Sequence, residues 1–385
     1  MRKAIIISDS FKGTLSSQEI CRIARESFAK LQPDCRLLTI PVADGGEGTV
    51  ACFYEACGGE LITVPVQGPY GETVEASYLQ LPDHRAVIEM ASSSGLPQVG
   101  DRKDPCRTST FGVGQQIRHA IEAGNRQILV GLGGSCTNDG GCGCAAALGV
   151  EFLDAEGKPF VPVGGTLDRI AAIRLREAEK LLRDVKITAM CDIDNPLYGP
   201  TGAAYVFGPQ KGADAATVEF LDGQLRAFDA MLRRELGRCV AEVPGAGAAG
   251  GFGAGMLAFF RAELQPGIEA VLDMVGFDRL LRGCDLVITG EGQLDSQSIR
   301  GKVISGVGRR SYWRGVPVVV IAGSVLPEME NITEQEELGV RAVFSVNRRA
   351  MDFSRSRHFS QENYRSTLEN ILRLITAAEH MRSAR

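Results

Sequence analysis

Lys3 to Ser8 (KAIIIS) is a short apolar run closed by polar residues, the pattern of a strand buried on both faces. After a Ser- and Gly-rich turn the apolar positions change to helical spacing from Ser16 to about Leu31, with Ile20, Ile23, Ala24 and Phe28 on one side. Ser16 followed by Glu19 supplies a capping-box start for that helix. Arg36 to Val42 (RLLTIPV) reads as a second strand, and a helix is expected from about Gly48 to Cys57 after a glycine-rich loop. Strand, helix, strand, helix in this order argues for a parallel sheet.

The same rhythm returns near the C-terminus. Strands are expected at Asp285 to Thr289, Val316 to Ala322 and Arg341 to Ser345, with helices at Lys302 to Trp313 and Gln361 to Ala378. Two strands before and three after make five, the size of a doubly wound sheet. The middle of the chain breaks the rhythm, opening on the turn-rich Pro65 to Gly71. It carries its own strands (Arg85 to Glu89, Gln127 to Gly131, Val185 to Cys191) and helices (Arg107 to Ala123, Asp214 to Leu236). The expected architecture is an α/β domain formed by 1–64 and 284–385, interrupted by a larger inserted α/β (α+β) domain over 65–283, with the active site in the cleft between them.

Composition narrows the function classes. The 385 residues can bury a large interior, 44% are hydrophobic, and a net charge of -5 offers no basic surface for nucleic acid or acidic lipid. No apolar run approaches the length of a membrane span and the N-terminus does not read as a signal peptide, so a cytoplasmic protein with small-molecule partners is expected. Eleven cysteines, an odd number, fit reduced thiols better than a disulfide framework. Cys136, Cys142 and Cys144 cluster, but their spacing suits small side chains in a tight turn better than a zinc site. Oligomeric state, including a homo-oligomer, is left open.

In an open α/β sheet ligands sit outside the carboxyl ends of the strands. Those ends carry Asp9 and Lys12; Asp44, Gly45, Gly46, Glu47 and Gly48; and Gly290, Glu291, Gly292 and Asp295. Asp, Ser and Gly are ordinary loop and cap residues, yet several Gly-acid loops at corresponding places point to a ligand. Carboxylates among glycines suit Mg2+, which keeps waters and substrate phosphates in its shell. The loop VADGGEGT could then approach polyphosphate with the ion between, using its glycines and the following helix N-terminus. Lys12, Lys211 and Lys302 are the available counter-charges. In the middle region Gly133 to Gly141 follows one strand, and Asp192 and Asp194 follow another. One of these aspartates could orient a substrate hydroxyl or accept its proton, and an Asx turn at Asp194-Asn195-Pro196 is the plainer alternative.

No P-loop sequence is present, because Gly301-Lys302 is followed by Val303. Gly245-Ala-Gly-Ala-Ala-Gly250 matches a dinucleotide fingerprint in spacing, but its preceding strand signal is short and holds Pro244. An oxidoreductase is therefore the weaker enzyme reading, and a non-catalytic binding protein would not require the acidic loops.

Six segments, SDSFKGTLSS (8–17), PVADGGEGT (41–49), GLGGSCTNDGG (131–141), CDIDNPLYGPTGAAYVFGPQKGA (191–213), GAGAAGGFGAG (245–255) and ITGEGQLDSQSIRGK (288–302), closely resemble the bacterial type-1 glycerate kinases, in order and over nearly the whole chain. The resemblance implies a flavodoxin-like domain split by a second α/β domain. It also implies transfer of the ATP γ-phosphoryl group to D-glycerate with Mg2+, with 2-phosphoglycerate as the product and 3-phosphoglycerate or another small hydroxy acid as the alternative. From their places at strand ends, Asp44, Glu47 and Asp295 are expected at Mg2+. Gly45, Gly46, Gly48, Gly290, Gly292 and Lys302 are expected at the cofactor, and Lys12 with Asp192 or Asp194 at the reacting groups.

Overall fold

The computed structural model describes all residues except Asp44, Arg300, Arg348, Ala350, Met351, Ala384 and Arg385, and the side chains of Arg382 and Ser383. The strands, in chain order, are β1 Lys3–Ser8, β2 Arg36–Pro41, β3 Glu60–Gln67, β4 Thr73–Leu81, β5 Arg85–Glu89, β6 Gln127–Gly131, β7 Glu151–Leu153, β8 Pro159–Phe160, β9 Ala172–Arg174, β10 Lys186–Met190, β11 Glu263–Gln265, β12 Leu286–Leu294, β13 Val318–Val325 and β14 Val340–Ser345. The chain divides into two compact units, Met1–Ala43 with Ile268–Arg385, and Asp44–Gly267.

The first unit holds a parallel sheet in the order β14-β13-β12-β1-β2. This is the flavodoxin-like order, in which the direction of winding reverses between the first and third strands of the sheet, here β1 and β12. Ala4, Ile6, Leu286, Ile288 and Ile321 meet two helices on one face: Ser17–Leu31, through Ile20, Ile23 and Phe28, and Ser360–Ser383, through Tyr364, Leu368 and Leu372. Each such large apolar side chain contributes roughly 1.5–3 kcal/mol by leaving water. The first helix starts as its sequence dictates: Ser16 accepts from the Glu19 N–H and Glu19 accepts from the Ser16 N–H, closing the capping box.

The second unit is built on a six-stranded sheet, β11-β10-β6-β5-β4-β3. β11, β10, β6 and β5 are parallel, and the β3-β4 hairpin adds an antiparallel edge whose outermost strand carries Pro65. A small antiparallel sheet, β8-β7-β9, lies apart from it. Ile88, Val130, Ile187 and Ala189 form the middle of the core, with Ile117 of the Phe111–Glu122 helix and Phe228 of the Ala215–Leu236 helix.

Two expectations need correction. The unit boundaries fall at 43/44 and 267/268, not at 64/65 and 283/284. The Thr49–Cys57 helix packs on β4 and β5, and β3 is the hairpin partner of β4, so both belong with the second unit. At the other end Glu269, Asp273 and Asp278 pair with Arg310 of the first unit. Secondly, Gly290 to Leu294 is not a loop. β12 runs through it, with Glu291 opposite Ala322 and Leu294 opposite Val325 of β13. The glycines that suggested a loop allow close strand packing instead: a Cβ on Gly290 would lie 2.0 Å from the Ile321 carbonyl oxygen.

Candidate active site

In the first unit the carboxyl ends of β1 and β12 lie at the switch point, where an open sheet leaves a crevice for ligands. The Asp9 N–H donates to the Gly290 carbonyl, which sets Asp9 beside Glu291. Glu291 is only 7% exposed, and its Oε1 has no hydrogen-bond partner among the described residues. Burial pushes its carboxyl up to about 7; the Ser298 hydroxyl and the Lys302 ammonium draw it down, and the charges of Asp9 and Asp295 add to the rise. Two residues earlier on the same side of the strand, the Thr289 hydroxyl is also buried and has no partner among the described residues.

Asp295 ends β12 and organises the turn that follows. Its Oδ1 accepts from the Gln297 N–H at 2.8 Å and the Ser298 N–H at 3.2 Å. Partial burial pushes its carboxyl up, but those N–H groups and Lys302 outweigh it and hold the carboxyl below its ordinary range. Lys302 precedes the Val303–Trp313 helix and donates to the Gln297 side chain at 3.2 Å, with no side chain capping the helix start. Lys12 is exposed in the loop after β1. The first unit thus brings Asp9, Glu291, Asp295 and Lys302 into one electrostatic neighbourhood.

The second unit holds the remaining expected residues. Asp44 lies outside the described residues, and Glu47 is exposed. Gly45 and Gly46 pack against another glycine loop: a Cβ on Gly131 would meet the Gly45 oxygen at 2.3 Å, and one on Gly133 would meet Gly46 Cα at 2.6 Å. This contact accounts for the small size of Gly131 and Gly133; Gly45 and Gly48 take the left-handed φ that favours glycine, and Gly48 faces open space. The Thr49–Cys57 helix start, expected to face phosphate, is met by a carboxylate the sequence reading did not single out. Glu89, at the end of β5, accepts from the Val50 N–H at 3.1 Å. Burial raises its carboxyl, the N–H groups of Val50, Gly48 and Thr49 pull it back, and the nearby Glu47 charge raises it again.

Asp192 and Asp194 follow β10 and are both exposed. Asp192 Oδ1 accepts the Gly267 N–H at 2.7 Å, so this carboxylate caps the Gly267–Val275 helix. The fingerprint-like Gly245–Gly250 segment is packed on protein: a Cβ on Gly250 would lie 2.1 Å from the Thr137 oxygen. Cys142 and Cys144 are fully buried at the start of a short helix, and burial pushes both thiols well up. Among the described residues no three His, Cys, Asp or Glu side chains gather closely enough to hold a metal ion, and no helix is long and apolar enough to cross a membrane.

A doubly wound sheet with carboxylates and a lysine at its switch point defines an α/β enzyme. The glycerate kinase family model matches residues 4–376. The chain is 45% identical to a glycerate kinase of Halalkalibacterium halodurans, over 91% of this chain and 92% of the relative. It is 42% identical to the glycerate 2-kinase of Escherichia coli, over 89% and 90%. A crystal structure from Salmonella typhimurium LT2, assigned as glycerate kinase 2, superposes with a TM-score of 0.84 at 40% identity, covering 98% of this chain and 99% of that one. The chain belongs to the glycerate kinase family.

Proposed function

We propose that the chain transfers the γ-phosphoryl group of ATP to the 2-hydroxyl of D-glycerate in the cytoplasm, giving 2-phosphoglycerate and ADP, with Mg2+. Family membership and the name of the Escherichia coli relative support the acceptor and the position. The structural observation that carries the reaction type is Glu291, a buried carboxylate with an unmet oxygen at the switch point, flanked by Asp9, Asp295 and Lys302. Phosphoryl transfer asks a protein mainly for positioning and charge neutralisation, which these groups supply.

The residues fit Mg2+ in its usual role with nucleotides. The ion takes one or two protein carboxylates and completes its shell with water and phosphate oxygens, so a three-residue cage is not required. The unmet Glu291 oxygen is suited to it, with Asp295 beside it; Glu47, and Asp44 by sequence, are the candidates of the second unit. When bound, Mg2+ neutralises charge on the phosphate oxygens. Lys12 and Lys302 are assigned to phosphate, and Gly48 is the glycine free to lie against the cofactor. Asp194 is assigned to the substrate hydroxyl, since Asp192 already caps a helix.

The test is a coupled ADP-release assay with MgATP and D-glycerate, compared with L-glycerate, glycolate and no acceptor, with 31P NMR of the product. Turnover confined to D-glycerate with a 2-phosphoglycerate resonance is expected. A rate equal to the acceptor-free background would overturn the substrate, and a 3-phosphoglycerate resonance would overturn the position.

A further inference from the structure

Lys211 is 2% exposed, its Nζ donates to the Thr137 carbonyl at 2.6 Å, and no carboxylate stands in ion-pair range of it among the described residues. Burial lowers its ammonium to about 8, and the neighbouring Cys136 and Asp139 only partly oppose that. A buried ammonium without a counter-ion is costly, and the groups around it deepen the anomaly. Thr137 Oγ1 and both ends of the Asn138 amide are buried with no hydrogen-bond partner among the described residues.

Asp139 is not the missing counter-ion. Its Oδ2 accepts from the Thr110 N–H and hydroxyl at 2.8 Å each and from the Gly143 N–H at 3.2 Å, and its Oδ1 accepts from the Gly141 N–H at 3.1 Å. Those bonds fix the loop after β6 in shape while its neighbours' polar groups stay unmet. Buried polar groups are nearly always paired, so a pre-formed unpaired set calls for a ligand.

We propose that Lys211, Thr137 and Asn138 form the subsite for the carboxylate and the non-reacting hydroxyl of the hydroxy-acid substrate. This rests on the reaction proposed above. The ammonium, the Thr137 hydroxyl and the Asn138 amide N–H are donors suited to an oxyanion. The Asn138 oxygen is an acceptor, and either orientation of the amide leaves one donor and one acceptor. A hydroxy acid with a second, non-reacting hydroxyl offers both an anion and a hydroxyl hydrogen, whereas fully ionised phosphate offers no hydrogen. The loop also follows the carboxyl end of a parallel strand, the ligand side of such sheets.

KM for D-glycerate and for ATP should be measured in wild type, Lys211→Met, Lys211→Arg and Asn138→Ala, alongside calorimetric titration with D-glycerate, glyceramide and inorganic phosphate. Loss of a charge-assisted contact predicts KM for D-glycerate, or its Kd, raised about 10- to 100-fold in Lys211→Met, with KM for ATP unchanged and partial rescue by arginine. Asn138→Ala should raise it about tenfold, and glyceramide should bind wild type and Lys211→Met equally. Folded variants with wild-type D-glycerate parameters would overturn the subsite, as would a rise confined to KM for ATP, which would mark a nucleotide phosphate. Should Lys211→Met not fold, the other two variants decide. If wild type binds D-glycerate but does not phosphorylate it, the proposed reaction falls and the Kd changes still judge the subsite; no D-glycerate binding by wild type overturns the subsite.

Discussion

The Asp192 carboxylate accepts the Gly267 N–H at 2.7 Å, and a Cβ on Gly267 would lie 2.8 Å from the other carboxylate oxygen. An N-terminal cap of this kind is worth about 1 kcal/mol. Asp192→Ala should therefore lower the melting temperature, and Asp192→Asn should retain most of the stability. Asp194→Asn should leave the melting temperature unchanged and lower kcat by roughly 100-fold or more, the usual loss for a group that handles a proton. An Asp192→Asn enzyme of wild-type stability with the larger kcat loss would return the proton-handling role to Asp192.

Glu291 makes stability depend on pH. Its carboxyl rises from 4.5 to about 7 on folding, so its favourable contribution is complete below about pH 4.5 and is lost as pH rises through 7. The full span is on the order of 3 kcal/mol. Glu291→Gln should be more stable than wild type at pH 8 and close to it at pH 4.5, read by urea denaturation without Mg2+. Parallel pH profiles for the two proteins would show that burial of this charge is not the cause.

Lys211 works in the opposite sense. Its folded value falls from 10.5 to about 8, so the stability of the neutral form is present above 10.5 and lost as pH falls through 8. At pH 7 the buried ammonium is a burden, and Lys211→Met should gain stability on the order of 1–3 kcal/mol, with the gain shrinking toward pH 10. Urea melts at pH 7 and pH 10 check this; a loss at pH 7 would mean that the Thr137 contact outweighs desolvation.

Glu89 holds the start of the Thr49–Cys57 helix through the Val50 N–H. Glu89→Ala should destabilise by about 1–2 kcal/mol, while Glu89→Gln, which keeps an acceptor oxygen, should lose less. Equal losses in both would assign the effect to the charge.

The five strands and the parallel sheet of the first unit were legible because apolar runs and helical spacing alternate cleanly around Ile5, Ile20, Ile288 and Leu368. The site was legible only in part. Asp9, Glu291 and Asp295 could be gathered by reading strand ends, but Glu291 sits within a strand and owes its character to burial that no local pattern announces. Glycine was the most misleading signal. Gly290 suggested a loop and lies within a strand, and Gly250, in its fingerprint-like spacing, is accounted for by backbone contact with the distant Thr137. Glu89, and the capping contact of Asp192, were hidden for a related reason, since the helix starts they meet belong to distant segments.

The split topology fixes an order of events on the ribosome. β1 lies between β2 and β12, so its apolar Ile5, Ile6 and Ile7 cannot be enclosed until a strand more than two hundred residues downstream has been made. At roughly 5–20 residues per second this interval lasts on the order of 10–50 s. The second unit, continuous in sequence, ends at Gly267, about twenty residues before β12 begins. The nascent chain therefore carries an open, sticky N-terminal half-sheet for most of its synthesis, which makes that segment the natural client of a chaperone at the exit tunnel.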